Sequence, residues 1–134
     1  MPGVHDLLAC VARLGLRLGL ASNSQLASIR AALEGLGIRK QFGAVASGTE
    51  VPHGKPHPAV YRLALDRLGL QPDAAIAIED SQAGLTAAKA AGLYCLVVPS
   101  ELTEGQDLRA ADRRFTSLHE VAAWLSGFAA SRER

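Results

Sequence analysis

Aromatic residues are scarce in this chain, with one Trp, two Tyr and three Phe among 134 residues. That scarcity argues against a β-sandwich and for small aliphatic helices laid closely on a sheet. Neither charge is in excess, since 14 Lys and Arg are scattered among 13 Asp and Glu. Without a basic stripe there is no electrostatic footprint for nucleic acid. No uninterrupted apolar run is long enough to span a bilayer, and the start MPGVHDLL lacks the basic-then-apolar order of a signal peptide. No membrane partner and a cytoplasmic location are therefore expected. The two cysteines, Cys10 and Cys95, stand far apart in apolar runs, outside any CxxC or Cys/His cluster. They are expected as buried thiols in a reducing compartment. Internal repeats and low-complexity segments are absent too, and the length suits one compact domain.

What is present is an alternation of helical and strand patterns. Val4, Leu7, Leu8 and Val11 have helical spacing over Val4 to Leu14, and Gly15 closes that helix. The apolar run Leu16 to Ala21 reads as a buried strand ending at Ser22, Asn23 and Ser24, which have the composition of a helix N-cap. Leu26, Ile29, Leu33 and Leu36 share a face of the next helix, which stops at Gly37, and Ala44 to Ala46 follows as a short strand. Ser47 to His57 has no period and two prolines, so a loop is expected. Pro58 then opens a helix with Val60, Leu63, Ala64 and Leu68 inward. Strand Ala74 to Ile78, helix Ser81 to Ala91 and strand Leu93 to Val98 continue the alternation. Ser117 and Glu120 form a capping-box pattern for a last helix with Leu118, Val121, Ala122 and Leu125 inward. The expected fold class is α/β, a three-layer Rossmann-like arrangement with a mostly parallel sheet and helices on both faces. In such folds ligands bind beyond the carboxyl ends of the strands.

Several residues fall at those ends. Ser22, Asn23 and Ser24 offer hydroxyl and backbone donors at a helix start, where phosphate is a natural guest, although plain N-capping explains the same residues. Lys55, between Gly54 and Pro56, is either a fixed counter-charge over the strand ends or a solvated loop lysine. A P-loop is excluded, because Gly48 to Gly54 has one residue too many between its glycines and Pro56 stands where Ser or Thr is required. Glu79 and Asp80 follow the run AIAI, where two carboxylates repel unless a hard cation joins them. The alternative is Asp80 as the cap of the helix starting at Ser81. Gly84 and the alanines after it let that helix approach the sheet. His53 and His57 straddle Pro56, so they share no helix face as paired metal ligands would.

The segments LGLASNS, GKPHPAVY and IAIEDSQAGLTAAKAAG, in that order, resemble the second, third and fourth motifs of the haloacid dehalogenase-like hydrolase superfamily. The likeness runs from about Val4 to Val98 and is closest to the subgroup of phosphoglycolate phosphatase and β-phosphoglucomutase. It implies a magnesium-dependent phosphatase or phosphomutase acting on a small phosphorylated metabolite through an aspartyl-phosphate. In this sequence Ser22 and the Asn23 backbone would hold the phosphoryl group, and Lys55 would stabilise its charge. Asp80 would hold Mg2+, with Glu79 as a direct or indirect partner.

The family's first motif, a DxDx[TV] sequence carrying the nucleophile, has no counterpart here, since Asp6, Asp66, Asp73, Asp80, Asp107 and Asp112 all stand singly. The cap domain that selects substrate is not in this sequence either. The resemblance thus implies a partial core domain over residues 1–128 with a polar tail at 129–134, inactive by itself for want of a nucleophile. It also implies a sheet without its central first strand. That sheet would close by a changed pairing, by strand exchange or by edge pairing in a homodimer. The alternative function is a non-catalytic phosphate-binding or assembly module that dimerises or pairs with another chain.

Overall fold

The computed structural model describes residues 2–132. In chain order they form α1 (Val4–Arg13), β1 (Gly19–Ser22), α2 (Leu26–Gly35), β2 (Ala44–Ser47), α3 (Ala59–Leu68), β3 (Ile76–Glu79), α4 (Gln82–Ala90), β4 (Tyr94–Val97), β5 (Arg113–Arg114) and α5 (Leu118–Arg132). Short 3-10 turns cover Arg39–Gln41, Gly48–Glu50 and Pro72–Ala74.

Helices lie on both faces of the strands, and strand alternation decides which side chains meet which layer. Cys95 and Val97 of β4 pack with Ala77 of β3 against Tyr61 and Leu65 of α3 and Leu85, Ala87 and Ala88 of α4. Leu96, and Val98 just beyond the strand, point the other way. They meet Leu7, Cys10 and Val11 of α1 and Leu118, Val121 and Leu125 of α5. On the same side Ile29 and Leu33 of α2 cover Val45 of β2. Each large side chain buried in this way contributes about 2 kcal/mol of transfer free energy, so these faces outweigh the modest helix propensities of the sequence.

All strand pairings are parallel, but the strands form two sheets. β1 pairs with β2, and β3–β4–β5 form the second sheet. The Leu18 carbonyl turns toward β2, accepting from the Gly43 N–H at 2.7 Å, so alternation turns the Ala21 carbonyl the opposite way. The Glu79 carbonyl accepts from the Val98 N–H at 2.8 Å, which turns the Ile78 peptide groups away from β4. Among the described residues no strand pairs with these two inner edges. The expected absence of a central strand thus shows as a seam, and the chain does not close it by a changed pairing. β1 is only half-buried along its length, whereas β2 is buried throughout.

The structure corrects several expected boundaries. The first strand begins at Gly19, and Leu16 is 48% exposed. Leu36, expected inward, is the C-cap residue after Gly35 and is 62% exposed. The helix after β1 starts at Leu26 behind Gln25 with no side-chain cap, so Ser22, Asn23 and Ser24 are not its N-cap. α4 is capped by Ser81, whose Oγ accepts from the Gly84 N–H, not by Asp80. At α5 the capping box forms by half. The Glu120 N–H donates to Ser117 Oγ at 3.3 Å, while the Glu120 carboxylate binds the Thr116 hydroxyl. Residues 129–132, expected as tail, continue α5; residues 133 and 134 lie outside the described residues.

Candidate active site

The side chain of Asn23, just past β1, holds the backbone of Lys55. Asn23 Oδ1 accepts from the Lys55 N–H at 2.7 Å and Asn23 Nδ2 donates to the Lys55 carbonyl at 3.1 Å. Space for that amide comes from two glycines, since a Cβ at Gly54 would stand 2.5 Å from Asn23 Oδ1 and one at Gly48 2.8 Å from it. The Lys55–Pro56 peptide is cis. The Lys55 side chain then reaches the seam between the sheets, where Nζ donates to the Ala21 carbonyl at 2.9 Å and to Glu79 Oε2 at 2.6 Å. Lys55 is therefore a fixed counter-charge and not a solvated loop lysine.

Glu79 is 8% exposed and needs such a partner, because an unpaired buried carboxylate carries a large desolvation cost. Its Oε2 receives a second, short hydrogen bond from the Tyr61 hydroxyl on α3. The Lys55 ammonium lies 5.1 Å from the centre of the Tyr61 ring. Burial, followed by the charge of Glu79, pushes the Tyr61 phenol above its ordinary range. The carboxylate fits only because residue 84 is glycine. A Cβ there would overlap Glu79 Oε1 and Cδ outright and stand 2.8 Å from Oε2. Gly84, expected to serve helix packing alone, also makes room for a charged group of the site.

Strand alternation parts the two acids that were expected to repel each other. Glu79 turns under the sheet toward α3 and α4, and Lys55 neutralises it. Asp80 comes after the strand end, half-buried, with no hydrogen bond to any described residue. The pair of carboxylates therefore does not require a cation to relieve repulsion. Among the described residues no three His, Cys, Asp or Glu side chains converge as a metal site. Asp80 is nevertheless a hard, unengaged oxygen donor, and magnesium is commonly held by one or two carboxylates with water and phosphate completing its shell. The donor chemistry of Asp80 fits that ion, of whose coordination it would supply one part.

The remaining expected residue, Ser22, accepts from the Ser24 N–H at 3.1 Å through its Oγ, which leaves its own O–H free to donate. The loop leading to Lys55 is anchored by a network absent from the sequence reading. Ser47 is fully buried and donates through Oγ to the Ser24 carbonyl at 2.5 Å, while its N–H donates to Glu50 Oε2 at 2.9 Å. Arg67 on α3 grips both Glu50 oxygens, at 2.8 and 2.9 Å, and also donates to the Val45 carbonyl at 2.6 Å. The Arg67 guanidinium, with the Ser47 N–H, holds the Glu50 carboxyl down at about 2. The signal for this turn was legible as Ser47-x-x-Glu50, a capping box placed before a 3-10 turn. Tyr61 had no such signal, because in VYRLALDRL it reads as one more flank of an amphipathic helix. His53 and His57 face each other with ring centres 5.6 Å apart, and His57 Nδ1 accepts from the Ala59 N–H.

The structure thus links Ser22, Asn23, Lys55 and Glu79 at the carboxyl ends of β1 and β3, with Asp80 next in sequence. Known proteins share the fold and much of the sequence. Residues 1–92 match the family model described as haloacid dehalogenase-like hydrolase. Hexitol phosphatase B of Escherichia coli is 38% identical over 124 residues, covering 92% of this chain and 56% of that protein. Among solved structures, CbbY from Rhodobacter sphaeroides in complex with phosphate superimposes with a TM-score of 0.85 at 41% identity, covering 90% of this chain and 55% of that one. A putative β-phosphoglucomutase from Thermotoga maritima gives a TM-score of 0.86 at 32% identity, covering 95% and 60%. The chain spans about half the length of the curated relatives it matches. With its second, third and fourth motifs gathered at the strand ends, this chain belongs to the haloacid dehalogenase-like hydrolases, in the phosphatase and β-phosphoglucomutase branch.

Proposed function

We propose that this chain supplies the phosphate-binding and cation-binding half of a phosphatase or phosphomutase site for a small phosphorylated metabolite. The observation that carries the reading is the Lys55 ammonium, fixed at the seam between β1 and β3 with two of its three donors engaged. Its third N–H and the Ser22 hydroxyl are the donors for phosphoryl oxygens, joined by the backbone N–H of Asn23. Phosphoryl transfer asks mainly for positioning and charge neutralisation, which is what these groups offer. Asp80 would hold Mg2+, with Glu79 acting on it through its grip on Lys55; when bound, the ion neutralises charge on the phosphoryl oxygens. No described carboxylate outside Glu79 and Asp80 lies at these strand ends, so the chain alone should bind phosphate without turnover. Phosphate in the CbbY complex supports this ligand class. A cytoplasmic setting agrees with two buried thiols that form no disulfide.

Inorganic phosphate titrated with and without Mg2+, followed by NMR shifts of the Ser22, Asn23 and Lys55 amides, tests the reading. Saturable shifts that weaken in Ser22→Ala and Lys55→Ala are expected, with no hydrolysis of an aryl phosphate. Silence in the wild-type chain, or turnover lost in Asp80→Asn, would overturn it.

A second reading, an assembly module, is favoured by the inner edges of β1 and β3, with which no strand pairs among the described residues, since such edges are pairing templates. A homodimer by strand exchange or edge pairing would appear as a doubled mass in light scattering as concentration rises. A monomer throughout would remove both routes.

A further inference from the structure

The Tyr61 hydroxyl is aimed at the site, yet the chemistry proposed above gives it no part. It is buried on α3 and donates to Glu79 Oε2, the same oxygen that receives Lys55 Nζ at 2.6 Å. The amine also lies 5.1 Å from its ring. One carboxylate oxygen is therefore shared between a phenol and an ammonium in a place nearly closed to water, where such bonds are strong. Lys55 has to serve two anions in turn, the resident Glu79 and an incoming phosphate. The more completely Glu79 is satisfied by another donor, the less of the ammonium it claims. A phenol that donates to the same oxygen is such a donor, and it also fixes the orientation of the carboxylate that sets where Nζ rests.

We propose that Tyr61 is a positioning residue, whose hydroxyl holds Glu79 so that the Lys55 ammonium stays directed to, and available for, a phosphate oxygen. The inference rests on the phosphate reading for its purpose, but its structural content can be measured in the free protein. Tyr61→Phe keeps the ring, its packing and its contact with the ammonium, and deletes only the donor. The lysines of the chain are Lys40, Lys55 and Lys89, so the 15Nζ signal of Lys55 is assignable with Lys55→Arg as reference.

In Tyr61→Phe the Lys55 15Nζ signal should move in the phosphate-free protein, and inorganic phosphate should bind about three- to tenfold more weakly, the range of one ordinary hydrogen bond, because Tyr61 acts on the phosphate only through Lys55. The second perturbation avoids any loss of folding. In a Tyr94→Phe background, 3-fluorotyrosine replaces Tyr61 alone and makes its O–H a stronger donor, so the same signal should move in the opposite direction. A Tyr that merely fills the core would leave the Lys55 signal still in both variants, whatever the melting temperature does, and that outcome overturns the proposal. If the wild-type chain binds no phosphate, the phosphate reading fails, while the Lys55 signal in the free protein still decides the role of Tyr61.

Discussion

Gly84→Ala exposes the logic of the site in one substitution. In a helix, Ala is favoured over Gly by about 1 kcal/mol, and position 84 lies in the first turn of α4. An exposed helical glycine would therefore give a more stable protein on replacement. Here the new methyl occupies the volume of the Glu79 carboxylate. Glu79 must leave, breaking its bonds to Lys55 and Tyr61 and stranding a lysine that is 12% exposed. Breaking a buried ion pair removes about 3–5 kcal/mol. After the helix gain the net loss is about 2–4 kcal/mol, a drop on the order of 10 °C in melting temperature for a domain of this size. The assay is a double-mutant cycle by urea denaturation of wild type, Gly84→Ala, Glu79→Ala and the double variant. With Glu79 already cut back to Ala the volume is empty, so Gly84→Ala should stabilise by up to about 1 kcal/mol. The sign reverses between backgrounds. Equal effects in both, or a stabilised Gly84→Ala in the wild-type background, would show that Gly84 does not make room for Glu79.

Other consequences can be checked more briefly. Asn23→Ala removes both bonds to the Lys55 backbone and should lower stability by about 1–2 kcal/mol in urea melts; an unchanged midpoint would refute the clamp. Because the folded Glu50 carboxyl lies at about 2 against an ordinary 4.5, its contribution is present at neutral pH and is lost as pH falls from about 4.5 toward 2. Glu50→Gln should therefore lower the melting temperature at pH 7 and leave it nearly unchanged at pH 2. Burial, followed by the charge of Glu79, pushes the Cys95 thiol up to about 12, and Cys10 is buried as well. Neither should react with a disulfide reagent at pH 8 until denaturant is added.

The sequence reached the element order and the residues at the strand ends because apolar periodicity and motif composition encode both. Its errors have local physical causes. Leu36 has the right spacing for the core, but it is the C-cap residue of α2, at the end of the helix, and stays exposed. β5, only Arg113 and Arg114, has no apolar pattern; it is set in place by Asp112, whose carboxylate takes the Cys95 N–H and Lys89 Nζ. Neighbouring acids in a sequence suggest a shared cation, but strand geometry places Glu79 and Asp80 in different surroundings. The partner of Glu79 lies 24 residues away and Tyr61 lies 18 away, separations that periodicity within one element cannot register.

The seam between β1 and β3 also divides the molecule into regions of unequal persistence. β4 has neighbours on both sides, and Leu96 and Val97 are wholly inaccessible to solvent. β1 is half-exposed, pairs on one side, and meets the other sheet through the Lys55 amine. Local opening follows the density of such contacts. Amide hydrogens of β1 should therefore exchange with deuterated solvent well before those of β4. A group that bound phosphate through Ser22 and Lys55 together would slow that exchange, so ligand binding would register as a more uniform protection across the fold.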